Sequence, residues 1–140
     1  MRRKTYMLDT NICSYIMRQR PDVYARFLEE LRDGSNIIIS VITYFELSHG
    51  AVLPKAPKTA MTKLKDFLAL IGGIIDLDVA AVEVATEIEK DLAAVGKCIS
   101  FQDTLIAAHA ISTGSICVTN NMREFARVKG IMLENWAITH

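Results

Sequence analysis

The chain lacks paired cysteines, a net charge and any apolar run long enough to cross a bilayer, and each shortage narrows what it can be. Its three cysteines, Cys13, Cys98 and Cys117, are odd in number, far apart and without a Cys-x-x-Cys pair. That argues against a disulfide framework or a zinc knuckle and points to a reducing compartment. The longest apolar run, Phe67 to Ile75, contains Gly72-Gly73 and is too short for a membrane span. The basic residues at the start are not followed by an apolar signal core. A soluble, cytoplasmic protein with no membrane association is expected. No Gly-rich phosphate loop is present, so Gly72-Gly73 reads as a turn. The 16 Lys+Arg balance 16 Asp+Glu, so the field of the whole molecule does not draw nucleic acid, and any RNA contact must rest on local patches.

What is present is ordinary globular material. With 51% apolar and 23% charged residues, disorder is disfavoured. The 140 residues suffice for one well-buried core, and one domain over residues 1–140 is expected. Charge is unevenly placed: Arg2, Arg3, Lys4, Arg18, Arg20 and Arg26 make the start basic, whereas Asp76 to Asp91 is mostly acidic.

Apolar runs alternate with helical patterns along the whole chain. Tyr6 to Leu8 reads as a strand ending in Asp9-Thr10-Asn11, followed by a short helix over Ile12 to Arg18 and a second opened by Pro21-Asp22. Asn36 to Ile42 is β-branched with no polar alternation, as in a parallel strand covered on both faces. Helices over Ser40 to Gly50 and Thr59 to Ile71 are separated by Pro54 and Pro57. A third strand is expected at Ile74 to Leu77, a fourth at Ile116 to Thr119 and a fifth, at the edge, at Ile131 to Leu133. Val79 to Val95 reads as an amphipathic helix with Val82, Ala85, Ile88, Leu92 and Val95 inward. Another helix begins at Ser100. Strands alternating with helices give a parallel sheet between helical layers.

On that frame Asp9 follows strand one, Glu46 lies a turn or two past strand two, Asp103 is in the first turn of the helix at Ser100, and Asn121 follows strand four. Each has an ordinary alternative: Asp9 as an N-cap, Asp103 in a capping box with Ser100, Glu46 on a wet helix face. Their joint placement at one end of a parallel sheet argues for more. Three carboxylates in one cleft repel, so either their pKa values rise or a divalent metal binds, and all-oxygen ligands favour Mg²⁺ or Mn²⁺. Basic side chains near the cleft that would hold a nucleic-acid backbone are Arg18, Arg20, Lys55, Lys58 and Arg123. Glu46-x-x-His49 has the spacing of a di-iron half-site, but a second copy is required and does not occur. His109, on an apolar helix face, reads as a hydrogen-bonded core or interface residue rather than a ligand.

Four segments resemble motifs of a known family. Met7 to Asn11 is Met-Leu-Asp-Thr-Asn, Ser40 to Glu46 fits Ser-x-Ile-Thr-x-x-Glu, Asp103 leads into Ile-Ala-x-His-Ala, and Thr119 to Phe125 fits Thr-Asn-Asn-x-Arg-Glu-Phe. In order and spacing these resemble the PIN-domain nucleases, in particular the VapC-type toxins of type II toxin–antitoxin systems in enteric bacteria and their plasmids. The resemblance implies a three-layer α/β/α domain with a central parallel sheet of four to five strands. It implies a Mg²⁺- or Mn²⁺-dependent endoribonuclease with Asp9, Glu46 and Asp103 as metal-binding acids and Asn121 at the fourth position. Thr10, Asn11, Ser40 and Thr119 would support them. It further implies cleavage of initiator tRNA in the anticodon loop, a homodimer, inhibition by a VapB-type antitoxin, and contact with operator DNA only through that antitoxin. The fourth position is Asp in many PIN domains. Asn121 brings no charge there to offset a second metal. Two rival readings are a non-catalytic PIN-like module that holds RNA or protein, and a phosphoacceptor receiver domain, whose adjacent acid pair and late Lys are missing.

Overall fold

The computed structural model describes residues 3–138; Arg2, counted above in the basic start, lies outside them. Five strands, β1 (Thr5–Leu8), β2 (Asn36–Ser40), β3 (Gly73–Ile75), β4 (Ile116–Val118) and β5 (Leu133–Glu134), form one parallel sheet in the order β3-β2-β1-β4-β5. The register pairs Met7 with Ile38 on one side and Cys117 on the other, Ile39 with Ile74, and Val118 with Glu134.

Side-chain alternation along each strand sorts the core into two halves. Tyr6, Leu8, Ile37, Ile39 and Val118 face a layer made by α1 (Thr10–Met17), α2 (Pro21–Arg32), α3 (Val41–Val52) and α4 (Ala60–Leu70). Met7, Ile38 and Cys117 face α5 (Val79–Ala94), α6 (Phe101–Ser112) and α7 (Met122–Phe125). Burial on both faces is why these strands read as unbroken apolar runs. The three-layer α/β/α architecture with a five-stranded parallel sheet is therefore as the sequence implies.

The elements start where local chemistry dictates. Asp78 and Ser100 cap α5 and α6 by accepting from the amides of Ala81 and Asp103, and Pro21 occupies the first turn of α2. Ser40 caps α3 by accepting from the Ile42 amide at 3.1 Å, so β2 ends at Ser40 rather than Ile42. The third strand begins and ends earlier than expected, and the fifth lies at Leu133–Glu134. The inner stripe of α5 is Ala81, Ala85, Ile88 and Leu92, whereas Val82 and Val95 are exposed. Ala85 shares one buried cluster with Ala107 and Ala108 of α6, and Ala81 is fully buried too, so the small side chains of α5 face inward and the bulkier valines outward. The last strand is held by a mixed network. Arg26 pairs with Glu30 at 2.8 Å and Glu134 at 2.9 Å, and lies over the Trp136 ring, which meets Tyr6 edge-on. Among the described residues no helix is long and apolar enough to cross a membrane.

One topological fact positions the site. The chain leaves β1 toward β2 and β3, then returns to the opposite side of β1 with β4. In an open parallel sheet the crevice at such a reversal, outside the carboxyl ends of the strands, is where ligands bind. Here that point lies between Asp9, just after β1, and Thr119 to Asn121, just after β4.

Candidate active site

Asp9 is the N-cap of α1 and is only 5% exposed. Its amide donates to the Val118 carbonyl at 2.9 Å, stitching it to β4. One carboxylate oxygen accepts from the Thr10 amide at 2.7 Å and the other from the Thr119 hydroxyl at 2.9 Å. Asp9 therefore caps a helix and also lines a cleft, so its capping role does not take it out of the cleft. Thr119, fully buried, also accepts from the Asn121 amide at 3.0 Å, which fixes its hydroxyl proton toward Asp9.

Glu46 reaches the same cleft from the second turn of α3, and its Oε1 accepts from the Thr10 hydroxyl at 2.8 Å. Thr10 thus serves both acids, by its amide and by its hydroxyl. Asp103 enters from the first turn of α6. Its Oδ2 accepts from Asn121 Nδ2 at 3.3 Å, and the same amide nitrogen donates to Glu124 Oε2 at 3.0 Å. Asp9, Thr10, Asn11, Glu46, Asp103, Asn120 and Asn121 line a polar cleft of about 330 Å³.

The electrostatics of this cleft are strained. Burial pushes the Asp9 carboxyl up to about 6, and the charges of Asp103 and Glu46 push it further the same way, against the Thr119 and Thr10 hydrogen bonds. Asp103 is also raised, first by burial and then by the charges of Glu124 and Glu46. A cation would relieve all of these at once. The donor set is oxygen throughout, which suits a hard divalent ion. Among the described residues no group of three or more His, Cys, Asp or Glu side chains is drawn together closely enough to hold a metal ion by itself. An open cleft with one or two direct carboxylates and water making up the rest is the usual manner of Mg²⁺ binding, so the residues fit the ion.

The structure also places Asn121 and Ser40. Asn121 presents its amide nitrogen to two carboxylates, so it solvates negative charge there and does not add an oxygen toward Asp103. Ser40 does not line the cleft; it supports Glu46 from beneath, as the cap of α3. The residue that the sequence reading left without a role is Glu124. It sits one helical turn from Asn121 on α7, a helix of four residues that is too short to show periodicity.

None of the expected RNA-contacting residues lines the acidic cleft. Arg20 is paired with Asp22 at 2.9 Å and lies over the Tyr15 ring. Arg18, also on the Tyr15 ring, borders a second groove of about 420 Å³ that shares Thr10 and Glu46 with the cleft. Lys55 and Lys58, between α3 and α4, and Arg123, on α7, are exposed. His49 is exposed and stacked on Phe45, with no second Glu-x-x-His beside it. His109 is buried and hydrogen-bonded, as expected of a core residue.

Residues 6–131 match the PIN domain model. The chain belongs to the PIN-domain family, as a VapC-type member. It is 40% identical to ribonuclease VapC2 of Rickettsia felis, over 94% of this chain and 97% of that protein. It is 38% identical to the tRNA(fMet)-specific endonuclease VapC of Shigella flexneri, over 94% of this chain and 98% of the relative. The fold of this VapC-type chain superposes on VapBC2 of Rickettsia felis, solved bound to a DNA fragment from its promoter. The TM-score is 0.86 at 39% identity, covering 94% of this chain and 98% of that one.

Proposed function

We propose that this VapC-type chain is an endoribonuclease toxin, cutting initiator tRNA in the anticodon loop with a divalent metal, acting in the cytoplasm and neutralised by a VapB-type antitoxin. The observation that carries the chemistry is the buried Asp9 carboxylate at the sheet's reversal point, facing Asp103 and Glu46 across a polar cleft. The substrate class rests on the ribonuclease and tRNA(fMet)-specific relatives. The antitoxin rests on the VapBC complex among the structural relatives.

Asp9 and Asp103 would hold Mg²⁺ or Mn²⁺, with Glu46 directly or through water. When bound, the ion supplies positive charge opposite the phosphate oxygens and an acidified water as nucleophile. Glu46, oriented by the Thr10 hydroxyl, takes up the proton of the attacking water. The Thr119 hydroxyl and the Thr10 amide hold the Asp9 carboxylate, one at each oxygen. Asn121 keeps Asp103 and Glu124 side by side by donating to both. The neighbouring groove, lined by Met17, Leu47, Ala51 and Leu64, offers apolar surface continuous with the cleft, and an antitoxin segment lying in it would cover Glu46. The exposed Phe45 and Val52 on α3 offer apolar surface to a second copy in a homodimer.

The test is cleavage of purified initiator tRNA, with elongator tRNAs as controls. Cleavage should require Mg²⁺ or Mn²⁺, stop with EDTA and stop again when the cognate antitoxin is added. RNA that is bound but intact in excess Mn²⁺ would instead support the non-catalytic module.

A further inference from the structure

Resting on the nuclease reading, a second layer of residues behind the cleft acquires a role. His109 is 1% exposed and lies six residues after Asp103 on α6. Its Nδ1 is 2.8 Å from the Ser40 hydroxyl, and the other side of its ring is hydrogen-bonded to the backbone of Asp76, just past β3. Burial lowers the imidazole's basicity, against the smaller opposing pull of the Asp76 backbone and the Asp78 charge, which favours a neutral ring with one proton; a backbone carbonyl can only accept, so the ring nitrogen facing Asp76 carries it. Nδ1 is then the acceptor and Ser40 the donor. This leaves a Ser40 lone pair for the Ile42 amide, the bond that starts α3. Every polar atom of the pair is thereby used in one consistent orientation.

The consequence for the site follows from helix geometry. Glu46 stands six residues after its N-cap, and each residue turns a helix by about 100°, so a one-residue slip in where α3 starts would swing Glu46 out of the cleft. Two things hold that phase: the Thr10 hydroxyl at the carboxylate and the Ser40–His109 pair at the cap. The second is anchored on α6, the helix whose first turn carries Asp103.

We propose that His109 is a positioning residue of the nuclease site. By accepting the Ser40 hydroxyl it locks the start of α3 to α6, so that the helix bearing Asp103 sets the placement of Glu46. Nothing in this role requires His109 to touch metal or RNA.

The experiment uses the full chain, Mn²⁺ calorimetry and steady-state RNA cleavage, all well below the melting temperature of each variant. Ser40→Ala removes the donor. His109→Gln places its amide toward Asp76 but offers nothing at the Nδ1 position, whereas His109→Asn places an acceptor oxygen there. Ser40→Ala and His109→Gln should weaken Mn²⁺ binding about tenfold, at the lower end of what loss of an outer-shell partner does to a metal site, and lower kcat with KM for RNA unchanged. His109→Asn should return both to within about threefold of wild type. In a Glu46→Gln background, Ser40→Ala should have no further effect on Mn²⁺ affinity, because the residue it positions is already disabled.

Should Ser40→Ala not fold, the contrast between the Gln and Asn variants decides the matter. Variants that melt earlier but bind Mn²⁺ and turn over like wild type would show a purely structural pair and overturn the inference. Effects that add fully to those of Glu46→Gln would do the same. A wild type that binds no Mn²⁺ overturns the nuclease reading, and this inference with it.

Discussion

In metal-free protein, Asp9→Asn should remove a pH dependence from the stability of the fold. The Asp9 carboxyl sits at about 6 in the fold, against 3.8 when exposed, first because of burial. A raised carboxyl means that the folded state binds the proton more tightly than the unfolded chain. Its contribution is therefore fully present below about pH 4 and is lost as pH rises through about 6. The gap between 3.8 and about 6 corresponds to about 3 kcal/mol, of which about 2 kcal/mol is lost between pH 4.5 and pH 8. Asparagine carries no such dependence. It keeps an acceptor for the Thr10 amide but offers an NH₂ group to the Thr119 hydroxyl, at a cost of about 1–3 kcal/mol at every pH. The absolute difference between the two proteins is thus small at pH 8 and unfavourable to the variant at pH 4.5. Its change with pH isolates Asp9.

The measurement is thermal unfolding of wild type and Asp9→Asn in EDTA at pH 4.5 and pH 8. The gap in Tm, variant minus wild type, should move in the variant's favour by roughly 6–10 °C from the acid to the alkaline condition, at roughly 3–5 °C per kcal/mol for a chain of this size. Saturating Mn²⁺ at pH 8 should raise the wild type alone, because the ion offsets the buried negative charge that Asp9 carries at that pH and the variant lacks. A gap that does not move with pH, or moves in the acid direction, would show that Asp9 is not the buried, proton-hungry carboxyl described above.

Asp103→Asn and Glu46→Gln should each abolish RNA cleavage while leaving the circular-dichroism spectrum and Tm near wild type, and equal activity at any Mn²⁺ concentration would count against the acid cluster. Asn121→Asp replaces the amide that Asp103 and Glu124 share with a further negative charge, so it should lower the Tm of metal-free protein and tighten Mn²⁺ binding by calorimetry; unchanged affinity would show that this position does not limit the site. Thr119→Val removes the hydroxyl that holds Asp9 charged, so the pH midpoint for Mn²⁺ binding should shift upward, and an unmoved midpoint would refute that role. Trp136→Ala, which empties the pocket beside Tyr6 and Arg26, should cost about 3–5 kcal/mol in urea unfolding; a cost under about 1 kcal/mol would mean that the chain after β5 packs loosely.

How far the sequence could be read depended on the length of each signal. The strands at Tyr6, Asn36 and Ile116 were legible because burial on both faces leaves an unbroken apolar run, and Asp9, Glu46 and Asp103 because each stands at a fixed step after a strand or cap. The α5 face was legible at Ala85, Ile88 and Leu92 but not at its ends: Val82 and Val95 are the more hydrophobic choice, yet they are exposed while Ala81 is buried, and residue size matters only once the partner helix is known. Glu124 escaped because four residues carry no period, and its position is visible only through Asn121. That Arg20 is held by Asp22 followed from neither composition nor spacing, since a pair two residues apart depends on the turn between α1 and α2.

The order of strands in the sheet also bears on when the protein becomes dangerous to the cell that makes it. The central strand, β1, emerges from the ribosome early, but one of its two neighbours, β4, begins at Ile116. Until then Asp9 has neither the Val118 carbonyl for its amide nor the Thr119 hydroxyl for its carboxylate. Glu46 and Asp103 are already synthesised, yet the crevice they face has only one wall. A nascent chain that has passed Asp103 but not yet reached Thr119 therefore carries the three acids without the β4 side of their cleft, an interval of about a second or more at about 5–20 residues per second of synthesis. The late-made β4 is thus a safety catch: a chain that stops before it lacks the Val118 carbonyl and the Thr119 hydroxyl that hold Asp9 at the cleft.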